Sequence, residues 1–182
     1  MSSNFKSDFF AVAKSNDEFD IVLNPPASDE SIQELSNALG FSLPPTLIEL
    51  LRLADGEADG SGGMFCGESL LSCEGILLAH DWHEAELDGM ADDEGHFVEC
   101  PFVKQGLVWR PTWIPIVFGH NQTSLFIDSD PSEIGVIGQV VLSAQIDGTS
   151  GLVASSIPDL FHIARTISKS ELLLDYPLKK AT

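Results

Sequence analysis

The run Leu39-Gly40-Phe41-Ser42-Leu43-Pro44-Pro45-Thr46-Leu47-Ile48-Glu49-Leu50-Leu51 reads as one helix stopping, a tight corner, and a second helix starting. Upstream, Ser28 has the chemistry of an N-cap, with Asp29 and Glu30 in the first turn, where carboxylates meet unpaired N–H groups and the positive end of the dipole. Ile32, Leu35 and Leu39 recur at helical spacing and define one apolar stripe. Gly40 stands where a left-handed C′ conformation costs glycine least. Pro44 and Pro45 suit a helix start, because the N–H they lack would be unpaired there. Leu47, Leu50, Leu51 and Ala54 form the second stripe, and Asp55-Gly56 ends it.

Working outward, Phe5, Phe9 and Val12 predict a short helix to about Ala13, broken by Ser15 to Glu18 and followed by an extended Phe19 to Leu23. Asp55 to Gly63 reads as a flexible glycine-rich loop. Leu70-Leu71 and Gly75 to Ala79 suggest a short strand. Asp81 to Leu87 has the pattern of a helix and Asp88 to Gly95 that of an acidic loop. Phe102-Val103 and Leu107 to Trp109, either side of Gly106, suggest a hairpin. Trp113 to Phe118 and Ser124 to Ile127 predict an antiparallel pair turning at Gly119 to Gln122, with Pro115 suited to an edge. Val136 to Leu142 is β-rich and Gln145 to Gly151 is a polar loop. Ser156 caps a last helix, with Pro158 and Asp159 in its first turn and Leu160, Ile163, Ala164 and Ile167 on its buried face. The expected class is α+β: an antiparallel or mixed sheet with an N-terminal helical hairpin and a C-terminal helix packed on it.

The 182 residues suffice for one domain with a real core, and 43% hydrophobic content argues against a mainly disordered chain. The formal charge is −19, from 28 acidic and 9 basic side chains. That balance disfavours a nucleic-acid backbone as partner, whose affinity comes from Lys and Arg, and favours cationic partners or simple solubility. No Lys or Arg stands between Arg52 and Lys104, whereas thirteen Asp and Glu do. Asp81, Glu84, Glu86, Asp88, Asp92, Asp93, Glu94 and Glu99 crowd the end of that stretch and are the candidate binding surface. Cys66, Cys73 and Cys100 are too few for a disulfide scaffold. With no apolar leader and no run long enough for a membrane span, a reducing, cytoplasmic location is expected.

Several local patterns imitate chemistry. Asp55, Glu57, Asp59, Gly60 and Ser61 follow the first half of an EF-hand loop, but Cys66 stands at the twelfth position in place of the bidentate Glu. A solvated turn beyond a helix accounts for the same residues. His80, His83 and His96 lie among acids with Asp81 and Glu84 nearby, yet the two-His zincin spacing is absent and Cys66 and Cys73 are seven apart. Surface histidines and buried thiols are the preferred reading. No Gly-x-Ser-x-Gly elbow or Walker loop occurs, and Cys66 or Cys100 beside His80, His96 or His120 is weak evidence for a nucleophile. Asp128 and Asp130 read as turn caps ahead of Pro131 rather than a catalytic pair. Trp109 and Trp113 read as core or sheet-face aromatics, with an interface anchor as the alternative. No catalysis, metal or cofactor is expected.

Asn24-Pro25-Pro26-Ala27-Ser28-Asp29-Glu30-Ser31-Ile32, then Leu39-Gly40, Leu43-Pro44, a Leu-rich helix and Asp55-Gly56, resembles the start of the SUKH superfamily. Trp113 to Gly119, Ser124 to Asp128 and Gly135 to Gly138 look like its second half. The resemblance runs from about Phe19 to about Ile167. It implies one SUKH-like domain over residues 1–182, with 1–18 a helical extension and 168–182 a tail. The superfamily includes fungal cell-wall-assembly regulators and bacterial immunity proteins. The resemblance therefore implies a protein that binds and blocks a basic toxin through the acids from Asp81 to Glu99, or else a regulatory or scaffolding module. Neither nucleic acid nor membrane is an expected partner.

Overall fold

The computed structural model describes residues 4–14, 20–65, 67–89, 100–119, 123–144 and 149–166. Five helices and four strands follow in the order α1 (Phe5–Lys14), α2 (Asp29–Leu39), α3 (Pro45–Leu51), α4 (Cys73–Leu87), β1 (Trp113–Phe118), β2 (Thr123–Asp128), β3 (Gln139–Ala144), β4 (Thr149–Ala154) and α5 (Ile157–Thr166). The strands form an antiparallel meander, β1-β2-β3-β4, so the fold is α+β as the pattern predicts.

The helical corner forms for the reasons legible in its residues. Ser28 Oγ accepts from the Ser31 amide at 3.0 Å, and Gly40 closes α2 at φ 77° with its amide on Ser36 O. Pro44 and Pro45 open α3 at its N-cap and first position. Asn24 ties the strand-like lead-in to the end of this hairpin, because its side-chain amide donates to Asp55 O at 2.9 Å and Glu57 O at 3.1 Å. The Asn24-Pro25-Pro26 and Asp55-Gly56 motifs are therefore two halves of one junction. Gly56 is obligatory there: its φ is 68°, and a Cβ would lie 2.4 Å from the Ser72 amide nitrogen.

Alternation along the strands divides the core into two layers. Ile114, Leu125, Ile127, Val140, Leu142 and Val153 face α1, α3, α5 and the first half of α4. Trp113, Phe126, Val141 and Leu152 face the opposite way, onto Leu87, Cys100, Val103 and Trp109. Both faces are covered, which is why β1 reads as a continuous apolar run rather than an alternating one. Pro115 sits in the edge strand, as expected. Phe9 meets Phe161 edge-on at 5.2 Å, and Arg165 donates to the buried Asp8 carboxylate at 2.6 Å, joining α1 to α5.

The structure corrects four expectations. Gly75 to Ala79 is helix, not strand, because Ser72 caps α4 by accepting from Gly75 N at 3.1 Å; only Leu70 is strand-like, bridging Val117. Leu107 to Trp109 do not pair with Phe102-Val103 as a hairpin. The segment instead folds on itself around Arg110, which donates to the carbonyls of Lys104 and Gln105. The third strand starts at Gln139, leaving Val136 and Ile137 exposed in the β2–β3 loop. A fourth strand begins at Thr149, within the stretch read as a polar loop.

Candidate partner-binding surface

Helix α4 carries the described half of the acidic run. Its inner face buries Cys73, Ile76, Ala79, His80, His83 and Leu87. Its outer face exposes Leu78, at 65%, together with Asp81 and Glu84. At about 100° per residue, Asp81, Glu84 and Asp88 fall on one stripe, with Glu86 some 200° round from Glu84. Asp88 caps the helix, its amide bonded to Glu84 O. Asp92, Asp93, Glu94 and Glu99 lie outside the described residues.

The placing of these acids opposes helix electrostatics. Carboxylates belong at the positive N-terminal end, yet Glu84, Glu86 and Asp88 occupy the last turn and C-cap of α4, with no basic residue in that turn. Each such charge costs the helix a few tenths of a kcal/mol or more. A local rule broken without an internal compensation is characteristic of residues kept for function.

His80 and His83 are not surface residues; each stands four residues after a buried apolar residue, Ile76 and Ala79, and that i, i+4 spacing carries both inward. His83 donates from Nδ1 to Ala79 O at 2.6 Å and packs edge-on against Phe126 at 4.9 Å. Burial pushes its pKa down to about 4, so it is a neutral core histidine. His80 bonds Pro111 O through Nε2 at 2.9 Å and lies beside a cleft of about 300 Å³. The cleft runs between Leu39 and Phe41 at the end of α2, Leu77, Asp81 and Glu84 of α4, and Pro111-Thr112.

The other candidates are structural. Glu57, in the calcium-like loop, turns inward: Oε1 accepts from Met64 N at 2.9 Å and Leu70 N at 2.8 Å, and Oε2 accepts from Ser61 Oγ at 2.6 Å. Asp55 Oδ1 accepts from Cys73 N. The loop is thus organised by its own carboxylates, not left flexible. Asp128 caps the turn after β2, accepting from Asp130 N at 3.0 Å, as the Asp-x-Asp-Pro pattern suggests. Burial raises the Cys73 thiol to about 12 and the Cys100 thiol above its usual range, so neither is an activated nucleophile. Trp109 and Trp113 are 1% and 0% exposed, which removes both as interface anchors. Three aliphatics whose exposure no local pattern foretells are outside instead: Ile134, Val136 and Ile137, all in the β2–β3 loop. None of the helices among the described residues is long and apolar enough to cross a membrane.

Comparison with known proteins places these features in a family. The model of the SMI1 / KNR4 family (SUKH-1) matches residues 26–162. The cell wall biosynthesis/cell cycle regulator smi1 of Schizosaccharomyces pombe is 28% identical over 150 residues, which cover 75% of this chain and 30% of that protein. The chain therefore matches less than a third of the length of this relative.

Proposed function

This chain belongs to the SMI1 / KNR4 (SUKH-1) family, and from that premise we propose that it is a non-catalytic protein-binding module acting as an immunity protein. Residues 1–182 work as a single SUKH-like domain in the cytoplasm, binding a cognate basic toxin domain and blocking it by occlusion. The observation that carries this reading is the outer face of α4, where the exposed Leu78 lies one turn before Asp81, beside an acidic stripe that Glu84 and Asp88 carry into the electrostatically unfavourable last turn and C-cap. Opposite charge steers encounter, and an apolar anchor sets residence time. Asp92, Asp93, Glu94 and Glu99 extend the same acidic field in sequence. The aliphatic β2–β3 loop offers a second anchor.

The direct test is co-expression with a basic toxin domain encoded beside this gene. Protection of the host and a complex whose association slows as salt rises support the reading. A toxin equally lethal with and without this chain counts against it. Reversing Asp92, Asp93 and Glu94 to Lys should lower the association rate by roughly an order of magnitude.

A regulatory module is the alternative, and the match to the fission-yeast regulator is the observation that favours it. A gene standing apart from any toxin, whose product co-purifies stably with host proteins, is its signature.

A further inference from the structure

We propose that His80, Asp81 and Glu84 form a binding site for a zinc-class divalent cation at the mouth of the cleft between α2 and α4. One ring nitrogen of His80 and one carboxylate oxygen from each of Asp81 and Glu84 lie within 4.8 Å of one another. The i, i+1, i+4 spacing of these residues on one helix brings them together.

The decisive group is His80, which is only 7% exposed. Its Nε2 donates to Pro111 O at 2.9 Å, and its ring stands edge-on to Trp109 at 5.2 Å. The carbonyl holds Nε2 as the donor, so Nδ1 is the ring nitrogen left to serve as a ligand. A backbone carbonyl orienting the far nitrogen of an imidazole is the usual outer-shell support of a ligating histidine. Nδ1 and the two carboxylates then bring three ligand atoms to one place, with the carboxylates in mutual repulsion. Among the described residues, Arg52 pairs with Asp29, Lys104 with Asp130 and Arg165 with Asp8, while Arg110 bonds backbone carbonyls. A cation between the three ligands relieves that conflict.

Ligand chemistry selects its class. Calcium and magnesium favour all-oxygen sites, whereas imidazole nitrogen with carboxylate oxygen suits zinc and its neighbours. Three protein ligands leave a coordination position that opens on the cleft, where water or a group from a bound partner completes the shell. The site shares Asp81 and Glu84 with the acidic stripe of α4, and it is tested without a partner.

Zinc chloride is titrated into the full chain by calorimetry, with thermal unfolding read in parallel. We expect one equivalent to bind and the midpoint to rise. Asp81→Asn and Glu84→Gln, both at exposed positions, should each weaken binding roughly tenfold or more. Glu74→Gln, on the first turn of the same helix, should leave affinity unaltered. Cobalt in place of zinc should give ligand-field bands without thiolate charge transfer. Absence of binding, undiminished affinity in either ligand variant, an equal loss in Glu74→Gln, displacement by equimolar magnesium, or a thiolate band would each overturn the assignment.

Discussion

The Gln139 carboxamide donates to the Asp128 carboxylate at 3.0 Å, and the two residues face each other across β2 and β3 at the root of their connecting loop. They are 1% and 0% exposed. Gln139 Nε2 also donates to Phe102 O at 2.8 Å, while its Oε1 accepts from Val136 N at 3.1 Å. A single buried amide thus ties the loop, the sheet and the 100–112 segment together, and holds Ile134, Val136 and Ile137 outward on a stiff support. Burial raises the Asp128 pKa, opposed by the bonds from the Asp130 amide and Gln139.

Replacing Gln139 by Leu keeps the volume and removes both donations. The Asp128 carboxylate then loses a buried partner, so stability should fall by roughly 1–3 kcal/mol. Urea denaturation reads this as a lower midpoint with little change in slope. An unchanged midpoint would mean that water replaces the amide without cost.

Glu57 makes the second prediction. Its buried carboxylate is the acceptor for two backbone amides and a hydroxyl, so it is turned into the loop rather than toward solvent, where calcium would meet it. Millimolar Ca²⁺ should leave the thermal midpoint where it is. Glu57→Ala should cost about 2–4 kcal/mol, since the Met64 and Leu70 amides would be buried without a partner. A calcium-dependent rise in the wild-type midpoint would reverse this view of the loop.

Much of this architecture was legible because local chemistry and tertiary demand agree. The Ser28 cap, the Gly40 stop and the Pro44-Pro45 start depend only on near neighbours, and all three stand in the structure. Trp113 to Phe118 and Ser124 to Ile127 were equally clear from β-rich runs flanking a turn. Gly75 to Ala79 misled because a four-residue apolar run fits strand or buried helix alike, and its Ser72 cap lay outside the run. The inward turn of Glu57 depends on amides 7 and 13 positions away, which no local pattern encodes. Of the candidate site, the acids of α4 were visible as charge. The burial of His80 beside Asp81 and Glu84 was not, because it depends on Pro111 arriving from a distant segment.

The acids closing α4 lead to a pair of effects of opposite sign. Glu86→Lys and Asp88→Lys place cations at the helix C-terminus, so each should stabilise the chain by about 0.3–1 kcal/mol. The same changes should slow association with a basic toxin partner and flatten its salt dependence. Leu78→Ser, at an exposed position, should leave stability within about 0.5 kcal/mol and chiefly speed dissociation. Thermal unfolding beside surface-immobilised kinetics separates the three. A gain in stability with unaltered association would show that these charges serve solubility alone.

Acid should weaken the fold through His83 before the carboxylates matter. Its pKa is about 4 in the folded chain against an ordinary 6.5, chiefly because burial among aromatic rings disfavours the imidazolium. Between those values the unfolded chain binds the proton more readily, so stability is full above about pH 6.5 and declines as pH falls toward 4. The loss across that window is on the order of 3 kcal/mol. Asp128, whose folded pKa is raised, acts in the opposite sense, since its proton is held more tightly in the folded chain. Asp8, held low mainly by the Arg165 bond, adds its own loss only below the ordinary carboxylate range. His83→Asn keeps a donor for Ala79 O and forfeits the ring packing, so it should be weaker at every pH but flatter between pH 6.5 and 4. Denaturant midpoints of both proteins at pH 7 and pH 5 decide the matter: a slope that survives in the variant belongs to another group.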